Sequence, residues 1–127
     1  MEAIKTIRNV QTVEPYAIAL ADFLTAVLSG KELKKAAIDA AEAVGMSDLA
    51  YAVENSTRDP MVACYIDSSF PAMLFMVYKY ADDFEKGVLA SANAGGENVA
   101  RGAIVGCLLG AYHGLQGMPQ WAKNGLY

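Results

Sequence analysis

Ala92-Asn93-Ala94-Gly95-Gly96-Glu97-Asn98 runs directly into a stretch with glycine at positions 102, 106, 110 and 114. Residues four apart share one side of an α-helix, so these glycines form a bare stripe. A glycine costs about 1 kcal/mol relative to alanine in a helix interior. Four in register are therefore expected to be kept for close contact, with another helix or a ligand lying against the backbone. The Gly95-Gly96 pair permits a tight turn. The free N–H groups at the start of the following helix then point toward whatever lies in front of them.

Upstream, the spacing predicts a helix over 16–28 with Leu20, Phe23, Leu24 and Val27 on one face, Pro15 in its first turn and Gly30 at its end. A second helix is predicted over 31–44, with Leu33, Ala37, Ala40 and Val44 inward and Gly45 as its stop, which makes a helical hairpin. Ser47 is the expected N-cap of a short third helix bearing Leu49, Ala52 and Val53. Residues 55–60 read as a loop, since Asn-Ser-Thr-Arg-Asp-Pro combines turn formers with a proline. Ser68 or Ser69 is expected to cap a helix with Pro71 in its first turn, and its 70–80 segment is apolar on nearly every side, as a central helix is. Asp82 with Glu85 suggests a capping box for a helix carrying Phe84, Val88, Leu89 and Ala92. The tail from Gly117 has no clear period. No stretch sustains two-residue alternation, so the expected fold is all-α: an irregular multi-helix bundle in a single domain over 1–127.

The apolar fraction is 54% and the charged fraction 19%, which is more apolar and less charged than an average soluble domain. A small domain with few charges is expected to bury apolar area against something outside itself, most simply a second copy of the chain. The net charge of −4 and the scattered basic residues disfavour nucleic acid and anionic membrane surfaces. Residues 1–5 do not open a signal peptide, and the 99–115 stretch is too short and too glycine-rich for a membrane span. Cys64 and Cys107 stand apart, which suits two buried, reduced thiols in a cytoplasmic protein.

Three segments carry a family resemblance: Cys64-Tyr65-Ile66-Asp67-Ser68-Ser69-Phe70-Pro71, then Tyr78-Lys79-Tyr80-Ala81, then the Gly-Gly turn with its glycine-rich helix. In order and spacing they resemble the final third of the ADP-ribosylglycohydrolase family, to which dinitrogenase reductase-activating glycohydrolase belongs. The hairpin at 16–45 is similar to an earlier family segment. The resemblance spans about 16–114 and is most specific over 64–114. It implies an all-α domain that hydrolyses the glycosidic bond between ADP-ribose and a modified side chain, using two magnesium or manganese ions. Those ions are held by an N-terminal Thr-Asp-Asp cluster and an Asp-x-Asp-Thr cluster after the Gly-Gly turn. By the same resemblance, Asn93, Gly95, Gly96 and Asn98 are candidate ligand-binding residues, with ADP-ribose as the ligand, and Glu97 is a candidate metal anchor. The chain departs from the pattern, however. It contains no Thr-Asp-Asp, and the second aspartate and the threonine are matched by Val99 and Ala100. Magnesium takes about six oxygen ligands, which Glu97 alone does not provide, so no cofactor is expected for this chain by itself.

The remaining polar candidates have plain structural readings. Glu97 suits the first turn of a helix and can pair with Arg101 four residues on, while Asp67 and Ser68 are expected to help cap their helix and, with Arg101, to serve as capping or supporting residues of the site. His113, the only histidine, has no carboxylate three or four residues away and reads as structural. Met61, Met73 and Met76 read as core filler, and Trp121 and Tyr127 as anchors of the tail. Two functions compete: an ADP-ribosylglycohydrolase-like hydrolase, cut down and catalytically incomplete on its own, and a non-catalytic helical module acting through self-association or a partner chain. A two-fold homodimer is expected in either case.

Overall fold

The computed structural model describes residues 13–60, 65–96 and 98–124. The helices, in chain order, are α1 (Glu14–Leu28), α2 (Leu33–Ala43), α3 (Leu49–Glu54), α4 (Ile66–Lys79), α5 (Phe84–Asn93), α6 (Asn98–His113) and α7 (Gln120–Asn124), with a 3-10 turn at Leu115–Gly117 before α7. Among the described residues there is no strand, and the all-α expectation holds.

The first hairpin forms as its sequence dictates. Pro15 lies in the first turn of α1, and Ala19, Phe23 and Val27, four residues apart, are buried. Gly30, at φ +98°, turns the chain into α2, whose Leu33, Ala36, Ala37, Ala40 and Ala41 are buried. Gly45, at φ +78°, ends it. At α3 the N-cap is Asp48, not Ser47: the residue sits in the left-handed region at φ +49°, and its carboxylate accepts from the Tyr51 amide at 3.0 Å. Aspartate tolerates this conformation through such local hydrogen bonds.

α4 is the central helix, packed against α2, α3, α5 and α6. Phe70 and every residue from Ala72 to Val77 are buried, so this chain covers the apolar helix by itself and the helix makes no demand for a second copy. Its start differs from expectation. The amides of Ser68 and Ser69 both donate to the Tyr65 carbonyl, at 3.1 and 2.8 Å, so the helix has already begun when it reaches the serines. Neither side chain caps it, and Pro71 lies inside it. Asp67 falls in its first turn, where a negative charge suits the helix dipole.

The loop at 55–60 is pinned to the end of α4 by Asp59, whose carboxylate accepts from Lys79 Nζ at 2.6 Å and from the Tyr80 hydroxyl at 2.7 Å. Hydrogen bonding to Asp59 raises the Lys79 pKa above its ordinary 10.5. Burial first, and the Asp59 bond second, raise Tyr80 above 10.0. Both folded-state values exceed the unfolded ones, so the stabilisation is complete below about pH 10 and is lost as pH rises through the raised values. Asp59→Asn is accordingly expected to cost about 1 kcal/mol at pH 8, and less at pH 11. Urea midpoints at the two pH values measure this; an equal loss at both would show that the pair is not linked to protonation.

α5 and α6 form an antiparallel hairpin. The α5 N-cap is Asp83, which accepts from the Lys86 amide at 3.1 Å, rather than the exposed Asp82 one residue earlier. The glycine stripe of α6 faces α5: a methyl group built on Gly102 would meet Ser91 at 4.0 Å, on Gly106 Val88 at 4.0 Å, and on Gly110 Phe84 at 3.6 Å. Gly114 lies beyond α6 at φ +69° and ends the helix instead of packing. The closest approach comes from the other partner, since a methyl group on Gly87 of α5 would lie 2.3 Å from Leu109 Cδ1.

His113 Nε2 donates to the Ala81 carbonyl at 2.6 Å, and Trp121 Nε1 donates to Glu85 at 2.9 Å, so both residues tie the chain to itself as expected. Cys107 is exposed, contrary to the buried thiol expected, because the stripe turns this side of α6 away from α5. Cys64, Met61, Glu97, Tyr127 and the N-terminal segment lie outside the described residues.

Candidate functional site

The Gly-Gly turn between α5 and α6 requires left-handed backbone, with Gly95 at φ +82° and Gly96 at φ +68°. What holds it in place is Arg101, the fourth residue of α6, which is 2% exposed. Its Nη2 donates to the carbonyls of Ser91 and Gly95, both at 2.7 Å, and its Nε donates to the Ser91 hydroxyl at 3.2 Å. Ser91 is fully buried. The guanidinium thus satisfies carbonyls at the end of α5 and in the turn that the helix leaves without amide partners. Asn98 assists from outside the buried layer, donating to the Ala92 carbonyl at 3.4 Å.

The sequence reading makes Arg101 an ion-pair partner of Glu97 and a capping or supporting residue of the site. The structure buries it, and burial of a guanidinium is tolerable only when its donors are met. Three contacts meet part of that need. Nη1, also buried, has no partner among the described residues. The missed signal lies in the sequence: Arg101 is the one Asp, Glu, Lys or Arg in α6, and Ser91 stands ten residues earlier across a two-glycine turn.

The other candidates sit around this arginine without converging as a ligand set. The Gly95 carbonyl and the Asn98 side chain are engaged within the hairpin. Asn93 is exposed at the end of α5, and Gly96 is exposed beside it. Asp67 lines an open groove with Tyr16, Tyr65 and Ile66. Between α4 and α6 lies a cavity of about 180 Å³, lined by Ile66, Phe70, Met73 and Ile104, with Ser69 and Arg101 as its polar members.

The two divalent ions implied by the family resemblance do not fit the described residues. Val99 is 79% exposed, Ala100 borders the cavity, and neither carries a donor oxygen. No group of three or more His, Cys, Asp or Glu gathers among the described residues. The side chain that follows is itself a cation, which opposes a second positive charge nearby.

Comparison with curated proteins and with solved structures returns no match. Among the described residues no helix is long and apolar enough to cross a membrane. The family model for ADP-ribosylglycohydrolase matches residues 3–127, well beyond the 64–114 segment whose motifs are most specific. With the all-α fold and the glycine-turn hairpin in place, this chain belongs to the ADP-ribosylglycohydrolase family.

Proposed function

We propose that this chain is a family member without metal-dependent hydrolase activity of its own, located in the cytoplasm and acting through binding. The observation that carries the reading is the replacement, on one turn of α6, of two oxygen donors by Val99 and Ala100, followed by the buried guanidinium of Arg101. A two-metal centre needs several carboxylates to offset the ions' mutual repulsion, and the described part of this turn supplies a positive charge instead. Incubation of the purified chain with ADP-ribosylated arginine and either manganese or magnesium is expected to release no ADP-ribose above a protein-free control. Enzymes typically exceed the uncatalysed rate by about 10⁶-fold or more, so the two outcomes separate cleanly. Metal-dependent release that Glu97→Gln abolishes would falsify the proposal.

Self-association is the second reading, and the observation that favours it is the outer face of α6. The helix turns Arg101 inward and leaves Val99, Ala103 and Cys107 exposed at four-residue spacing, an apolar helix face of the kind that pairs across a two-fold axis. A second copy of this chain is its proposed occupant. Sedimentation equilibrium is expected to show a dimer that Ala103→Glu converts to a monomer without lowering Tm. A monomeric parent chain at low micromolar concentration would remove this reading.

A further inference from the structure

The geometry points to a binding site for a small monocarboxylate with an apolar body in the cavity between α4 and α6, its carboxylate facing the guanidinium of Arg101. Arginine has five N–H donors, and Ser91 and Gly95 use only those of Nε and Nη2. Nη1 is buried and has no partner among the described residues, while Arg101 lines the cavity. The three bonds already made are to neutral oxygens, so none of them opposes the positive charge itself. Among the described residues no acidic side chain lines the cavity. A buried cation in that position favours an anionic acceptor, and a carboxylate accepts from a guanidinium with matched geometry.

The remaining wall selects the rest of the ligand. Ile66, Phe70, Met73 and Ile104 are apolar, and the Ser69 hydroxyl is the one further polar side chain. Phosphate or a nucleotide pyrophosphate carries more oxygens than one arginine and one serine can satisfy, which makes either a poor occupant. An apolar cavity of about 150 Å³ holds a benzene ring, so about 180 Å³ accommodates a ring or short branched chain with its carboxylate at the polar end. The site is independent of the hydrolysis question, because its readout is binding.

Benzoate is the probe, with benzamide as its neutral isostere and inorganic phosphate and chloride at matched ionic strength as controls. A ligand specific to the folded state at about ten times its Kd raises Tm by about 5 °C for a domain of this size. Benzoate is expected to do so for the intact chain, and the three controls are not. Arg101→Met should abolish the shift. Because that variant also removes the staple of the turn, Ser69→Leu gives the second test: it fills the cavity, leaves Arg101 in place and should also abolish the shift. No benzoate shift, an equal shift with benzamide, a shift with phosphate instead, or a benzoate shift that survives Ser69→Leu would each overturn the assignment.

Discussion

Leu109→Ala is expected to lower the unfolding free energy by about 2–5 kcal/mol, the range for emptying a fully buried leucine site. Gly87→Ala should cost about 1–3 kcal/mol by the opposite fault, since its methyl group would stand 2.3 Å from Leu109 Cδ1 and 3.2 Å from Tyr80 Cβ. The double variant is the informative one. With Leu109 shortened, the new methyl group enters space that the leucine has left, so the combined loss should fall short of the sum by about 0.5–3 kcal/mol. Urea denaturation of the four proteins gives the coupling directly. Strict additivity would mean that Leu109 does not lie in the notch that Gly87 provides.

Gly106 should respond with opposite signs to two substitutions. A methyl group there meets only Val88, at an ordinary 4.0 Å, so Gly106→Ala keeps the packing and gains up to about 1 kcal/mol in helix propensity. Gly106→Leu must instead force α5 and α6 apart, and a loss of about 1–3 kcal/mol is expected, at the large end for a single substitution. Thermal melts of both variants check the pair. A leucine tolerated without loss would show that the two helices are not held at close range.

That contrast also corrects the expectation drawn from the glycine stripe. Periodicity alone identified a face of α6 that another helix approaches, and α5 does approach it. It could not rank the positions. Gly102 and Gly106 have room for a methyl group, Gly114 ends the helix, and the tightest glycine, Gly87, stands alone in the facing helix where no spacing marks it. Helix existence was legible from apolar spacing and from Gly30 and Gly45, whereas caps were displaced by one residue, Asp48 for Ser47 and Asp83 for Asp82, because neighbouring cap formers compete locally. The start of α4 was missed because the Tyr65 carbonyl, which no side-chain pattern reports, receives the first amides. At the candidate site the turn was legible from Gly95-Gly96 and Arg101 was legible as a capping or supporting residue, but its burial against Ser91 and Gly95 was not. Its neighbour four positions earlier is an acid, and that spacing reads as an exposed pair whichever way the side chain turns.

The arginine beneath the Gly-Gly turn also bears on how this chain reaches its fold. α5, the turn and α6 are contiguous in sequence, and Arg101 contacts residues only ten and six positions earlier. Closing so short a loop carries little entropic cost, and contacts this local form early. The hairpin from Phe84 to His113 therefore has the character of a folding nucleus, with α4 docking onto it later from greater sequence distance. On this view the buried guanidinium sets an order of events. The two helices are expected to come together around Arg101 before the core of Phe70, Leu74 and Val77 closes over them, and higher φ-values at Ser91 than at Leu74 would show it.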